Sequence, residues 1–172
     1  MRLFTILKSF FLTWDIYASL FVVVILAFLL RDEISLGLVK EILSVSISVL
    51  AIVFSVFFAA MAILITAGDN EFVRFLEEDG SFTQITWVFR VTLLLLFLAL
   101  FISIILFVIV VMFSGEDDGY TFPKWGLLLY SFLASYALLS AINSSLDAIK
   151  YAELRARFLY ITKNNNKPSE DE

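Results

Sequence analysis

Four long apolar runs, separated by short polar stretches, set the pattern of this chain. Val91 to Phe113 is the cleanest of them, a run without a charge and broken only by Thr92 and Ser103. At about 1.5 Å per residue, a helix of that length exceeds the roughly 30 Å hydrocarbon core of a bilayer. The pattern predicts spans at 11–30, 42–67, 91–113 and 125–146, each long enough to cross, the second with some tilt. Trp14, Trp87 and Trp125 fall at span ends, where an amphipathic ring prefers the headgroup level. The expected fold is therefore an all-α integral membrane protein, a bundle of four transmembrane helices. Leu94, Phe97 and similar large side chains fill the third span, which is expected to face lipid.

The first run follows Arg2 and Lys8 and resembles a secretory signal. No small-residue cleavage site follows it, because the sequence passes directly into Arg31-Asp32-Glu33. It reads as a retained first span. Nine of the twelve Lys and Arg residues lie in the N-terminal segment, the middle connection and the C-terminal tail. The positive-inside rule then places both termini and the middle connection in the cytoplasm.

The middle connection, 68–90, has a pattern of its own. Phe72, Phe75 and Leu76 recur at i, i+3 and i+4, predicting a short amphipathic helix that stops at Asp79-Gly80. Beyond Leu146 the last helix meets no Gly or Pro until its end. Glu153 and Arg157 form an i, i+4 pair, so the helix is expected to continue into the cytosol over 147–161. The segment 163–172, with three Asn, one Pro and mixed charge, reads as a disordered tail.

Two spans carry stripes of small residues. In the second, Ser44, Ser48, Ala51, Ser55, Ala59, Ala62 and Thr66 recur every three or four residues and share one helix face. Helices in lipid associate through such faces, so the stripe predicts a packing seam. A second reading is that Ser44, Ser48, Ser55 and Thr66 line a narrow aqueous path in an oligomer. The fourth span has a similar stripe at Ala134, Ala137, Ala141, Ser144 or Ser145, and Ala148. Beside it, Ser140, Asn143 and Asp147 form a polar run near the cytosolic end. That run is either the helix leaving the membrane or the inner mouth of a pore. Spans two and four are thus expected to make the helix contacts or the pore.

The 172 residues are 61% hydrophobic, and one membrane domain accounts for almost all of them. Cys and His are both absent, which removes thiolate chemistry, the commonest metal ligands and the commonest general base. No span places Lys or Glu well inside it, so catalysis, cofactors and a metal site are not expected. The net charge of -5 argues against nucleic acid as a partner. Asp15 is the one acidic residue inside a span, and Arg90 sits at a matching depth at the start of span three. An intramembrane Asp15–Arg90 ion pair is the expected arrangement.

The order from Ala59-Ala60-Met61-Ala62 to Gly68, then Phe72-Val73-Arg74-Phe75-Leu76-Glu77-Glu78-Asp79-Gly80-Ser81-Phe82-Thr83, then an uninterrupted span, resembles a known group. That group is the small four-span membrane proteins of prokaryotic phage defence, including the membrane component of the lambda Rex exclusion system. The likeness covers residues 42–113. It implies an ion-permeable effector, switched on by a separate cytosolic sensor, that depolarises an infected cell. The expectation is a homo-oligomeric, poorly selective pore in contact with membrane lipid. The rival is a non-conducting anchor or scaffold that recruits a cytosolic partner.

Overall fold

The computed structural model describes residues 14–30, 33–66, 73–74, 77–78, 80–113 and 121–165. Four helices dominate them: α1 (Trp14–Leu29), α2 (Leu36–Thr66), α3 (Ser81–Phe113) and α4 (Lys124–Asn165). Helices α2, α3 and α4 are long and apolar enough to cross a membrane. The described part of α1 is apolar but has only 16 residues. Its length is about 24 Å at the rise of an α-helix, short of the hydrocarbon core. Its predicted start at 11–13, the apolar positions Phe72, Phe75 and Leu76, and residues 166–172 lie outside the described residues.

Helix boundaries extend past the apolar runs. α3 begins at Ser81, well ahead of its charge-free core, and α4 runs unbroken for 42 residues. At the usual rise per residue α4 is about 63 Å long. Residues 163–165, expected in a disordered tail, are helical. The reason is local: helix-compatible sequence continues from Asp147 without Gly or Pro, so nothing stops the helix at Ile161.

The connection before α3 is organised by Glu77 and Gly80. Val73, Arg74, Glu77 and Glu78 are helical, and Gly80 takes a left-handed φ of 70°. A side chain would oppose that conformation. The Glu77 carboxylate accepts from the Thr83 backbone N–H at 3.3 Å and from the Thr83 hydroxyl at 2.7 Å. It thereby satisfies donors in the first turn of α3 that have no intrahelical partner.

At the opposite end, strands β1 (Glu33–Ser35) and β2 (Thr121–Pro123) pair antiparallel, with Ile34 opposite Phe122. This ladder ties the α1–α2 connection to the α3–α4 connection. Gly126 permits it, since a Cβ there would lie 3.0 Å from the Phe122 ring. Ile34 is buried with Val39, Leu43, Val110, Leu127, Tyr130 and Ala134, closing that end of the bundle.

α4 is the central helix. It packs against α1 and α3 and, less extensively, α2, while α2 lies mainly on α3. The expectation that spans two and four make the contacts and span three faces lipid is therefore corrected. α3 buries Phe89, Thr92, Leu96, Ala99, Ser103 and Val110, a seam repeating every three, four or seven residues. It shows lipid-type side chains such as Leu94, Phe97 and Phe101 only on its other face. Uniform hydrophobicity hid this division, because a helix apolar all round has no polar side to mark its exterior.

The two small-residue stripes have opposite fates. On α4, Ala134, Ala137, Ala141 and Ser144 are buried, forming the internal seam. On α2, Ser44, Ser48, Ser55, Ala59 and Ala62 are exposed. The buried face of α2 is instead Val39, Leu43, Leu50 and Phe57, with Phe57 stacked on Phe89 at 5.0 Å between ring centroids. Replacement of Ala137 by Leu should therefore separate α3 and α4 and destabilise the fold by about 1–3 kcal/mol. The measurement is thermal unfolding of the monomer in detergent. Ala59→Leu, on the outward stripe, should leave that midpoint unchanged.

Candidate functional site

Among the described residues, three contacts between helices bring buried polar side chains together, and α4 takes part in each. Leu127, Tyr130, Ala134, Ala137, Ala141, Ser144 and Tyr151 are its buried face, separated by three, four or seven residues. That spacing is the signature of knobs-into-holes packing. Where the facing residues are Ala or Ser, backbones approach closely and hydroxyls can meet across the seam.

Nearest the β ladder, Ser103 Oγ lies 2.8 Å from the Tyr130 hydroxyl and also donates to the Ala99 carbonyl at 2.7 Å. Further along, Thr92 Oγ1 lies 2.8 Å from Ser144 Oγ and 3.2 Å from Ser140 Oγ. Thr92 and Ser103 are fully buried. In each contact a hydroxyl that has lost water gains a partner, which removes the cost of leaving it unsatisfied.

The third contact joins α1 to α4. Asp15 is 6% exposed, and the Asn143 amide donates to its carboxylate. Tyr136, also buried on α4, lies within electrostatic reach of the same carboxylate. Nearby, Ser19 is buried and donates to the Ile16 carbonyl at 2.9 Å. The expected Asp15–Arg90 pair is not formed. α1 docks on α4 and turns Asp15 toward Asn143, whereas Arg90 points outward from α3. Among the described residues no ion pair involves either of them.

The remaining candidates scatter. Ser140 belongs to the buried hydroxyl cluster, Asn143 to the Asp15 contact, and Asp147 is exposed with Lys150 Nζ 3.1 Å away. Helix packing divides these three among separate contacts, so they do not line one opening. On α2, Ser48 donates to the Ser44 carbonyl at 3.0 Å and Ser55 to the Ala51 carbonyl at 2.9 Å. Ser44 is exposed on the same face, and the Thr66 side chain lies outside the described residues. Among the described residues no group of three His, Cys, Asp or Glu is placed to hold a metal.

Sequence pattern alone does not single out Thr92, Ser103 and Tyr130 as site residues. A signal is present in α3 all the same: in an otherwise apolar run, its two hydroxyl residues fall on the buried face. No family model matches this chain, and neither a curated protein nor a solved structure shows significant similarity to it.

The α1–α4 contact has a direct test, helped by the absence of native Cys. A short thiol crosslinker should join Asp15→Cys to Asn143→Cys in high yield. It should fail to join Asp15→Cys to Arg90→Cys. The Thr92→Val and Ser144→Ala pair, in a double-mutant cycle of unfolding, should show coupling of about 0.6 kcal/mol, the usual size for a hydrogen bond between membrane helices.

Proposed function

We propose that this protein is a four-span inner-membrane effector whose copies assemble into a poorly selective ion-permeable pore, with both termini in the cytoplasm. Its role would be depolarisation of the cell in phage defence. Support for the membrane placement comes from the bundle surface, where Phe28, Val45, Ile52, Val56, Phe97, Met112 and many like them are exposed. Apolar surface on that scale, continuous around three long helices, is a liability in water and the normal exterior in lipid.

One observation carries the pore reading. The interior is closed by apolar packing and paired hydroxyls, so a conducting path has to run between copies. The outward stripe of α2 is the hydroxyl-bearing surface available to line it. Ser48 and Ser55 bond to carbonyls one turn back, which leaves their oxygens free to accept from water or from a facing helix. Small side chains along the same stripe let two copies of α2 approach closely. The extended α4 and the middle connection are the parts a cytosolic sensor would reach.

The scaffold reading has its own support. About 20 residues of an α-helix suffice to cross the hydrocarbon core, so roughly half of α4 projects beyond it. That projection exposes Leu154, Leu159, Tyr160 and Ile161, surface suited to a protein partner.

Membrane potential read by a voltage-sensitive dye in bacteria after induction, with and without phage, separates the two. The pore reading predicts depolarisation that follows expression or infection. Ser48→Leu together with Ser55→Leu should abolish it without changing the monomer's thermal midpoint, and Ser140→Ala should leave it intact. A steady potential with the protein in the membrane, together with one stoichiometric partner that copurifies, would establish the scaffold.

A further inference from the structure

Arg90 lacks its expected partner, and its surroundings point to a different one. The first turns of α3 present an open, shallow depression of about 220 Å³ lined by Phe82, Thr83, Thr86, Trp87 and Arg90. Arg90 is exposed, and among the described residues no carboxylate pairs with it. Among the described residues the buried Thr86 hydroxyl has no hydrogen-bond partner. A threonine in a helix divides between two χ1 rotamers, so one rotation carries that hydroxyl to another staggered position. A guanidinium and a hydroxyl beside an indole make a setting for a phosphate oxygen at the headgroup level.

The face continues in both directions. Toward the centre of the helix, Leu94, Phe97 and Phe101 follow Arg90 at spacings of four, three and four, and all three are more than half exposed. The Phe97 and Phe101 rings stack at 6.2 Å, with Phe54 of α2 beside Phe97 at 6.3 Å, and together they extend the apolar surface along the helix. Away from the centre, the Glu77 carboxylate is fixed on Thr83. Thr83 and Arg90 share one face of the helix and are separated by about 10 Å along it. The order along the surface is thus acyl track, cation, anion.

We infer that this face binds one inner-leaflet aminophospholipid of the phosphatidylethanolamine type. Arg90 and Thr86 hold its phosphodiester, Glu77 faces its ammonium, and an acyl chain lies along Leu94, Phe97 and Phe101. A lipid with an anionic head and no amine would set its headgroup against Glu77 with nothing to balance that carboxylate. Free phosphate would leave the apolar track uncovered. The inference rests on the membrane placement proposed above, with the N-terminal end of α3 at the cytoplasmic face.

The test uses the full chain in detergent micelles with Trp14→Phe and Trp125→Phe, so that Trp87 is the sole tryptophan. It is titrated with phosphatidylethanolamine carrying brominated acyl chains, with the phosphatidylglycerol counterpart, and with inorganic phosphate as competitor. Saturable quenching by the phosphatidylethanolamine is expected, with weaker binding of the phosphatidylglycerol and no competition by phosphate. Arg90→Gln should weaken binding about tenfold or more, the loss of one charge-assisted hydrogen bond. Glu77→Gln should abolish the preference between the two lipids. Non-saturable quenching that is the same in Arg90→Gln would overturn the site. Phosphatidylglycerol binding as tightly as phosphatidylethanolamine would overturn the headgroup assignment, and effective competition by phosphate would overturn the lipid itself. An alkaline wash of native membranes reads the placement separately. Release of the protein there would sink the membrane reading, whereas retention with no lipid binding would sink only the site.

Discussion

The close approach of α3 and α4 holds this molecule together. Ala99 on one helix and Ala137 and Ala141 on the other are buried in one cluster, with no side chain larger than a methyl at those positions. In lipid, hydrophobic burial does not drive helices together, because acyl chains are as apolar as the side chains they would replace. What remains is dispersion, which falls steeply with distance, and hydrogen bonds that need short separations. Small residues supply the short separation, and Thr92, Ser103, Tyr130, Ser140 and Ser144 use it. α1 then hangs on the far side of α4 through Asp15 and Asn143, and α2 lies mainly against α3 through Leu50 and Phe57. Bulk placed in the central seam would disturb both outer helices at once.

The same seam limits what the monomer can do. Thr92 meets Ser140 and Ser144 there, Ser103 meets Tyr130, and Phe89, Leu96 and Tyr151 are buried in the same core. Such an interior is suited to holding shape rather than to passing ions or running chemistry. The proposed function is accordingly sought on the outside of the bundle, at its α2 stripe, along the C-terminal part of α4, or at the polar end of α3. Each of these is a place where an exterior otherwise made of large apolar side chains changes character.

The sequence made the element order legible because run length alone separates four helices, but the Trp residues and charges mark the ends of apolar runs and not of helices: Trp87 and Arg90 lie inside α3. The α4 stripe was legible for the same reason that it packs: small residues at spacings of three and four share one face. Other features were not. The buried face of α3 carries no amphipathic contrast, and only the rarity of Thr92 and Ser103 marks it. In a soluble helix polar residues point outward, so reading these two correctly requires inverting that rule. The partner of Asp15 depends on which helix α1 docks against, and neither charge nor depth decides between Arg90 and Asn143. The β1–β2 ladder joins the residues around Ile34 to those around Phe122, a pairing with no local signal. The outward direction of the α2 stripe belongs with these, because small residues predict a close contact but not which helix, or which copy, supplies it.

The position of α4 bears on how a signal could reach the membrane region in the proposed effector. It contacts every other helix, carries all three buried polar contacts, and is also the longest helix. Tyr151 on its projecting part is buried in the same cluster as Phe57, Phe89 and Ala137. A partner that displaced the end of α4 would therefore act on a continuous, close-packed column rather than on a loose appendage. Close-packed contacts change by repacking into another discrete arrangement, not by gradual stretching. α1 and α3 both pack extensively on α4, α1 also through the Asp15–Asn143 contact, whereas α2 lies mainly on α3. Movement of α4 would then be expressed at both α1 and α3, while α2 follows α3 through Phe57 and Phe89. The outward stripe of α2 would keep its partner copy through such a step, so opening would require a change in the angle between copies rather than their separation.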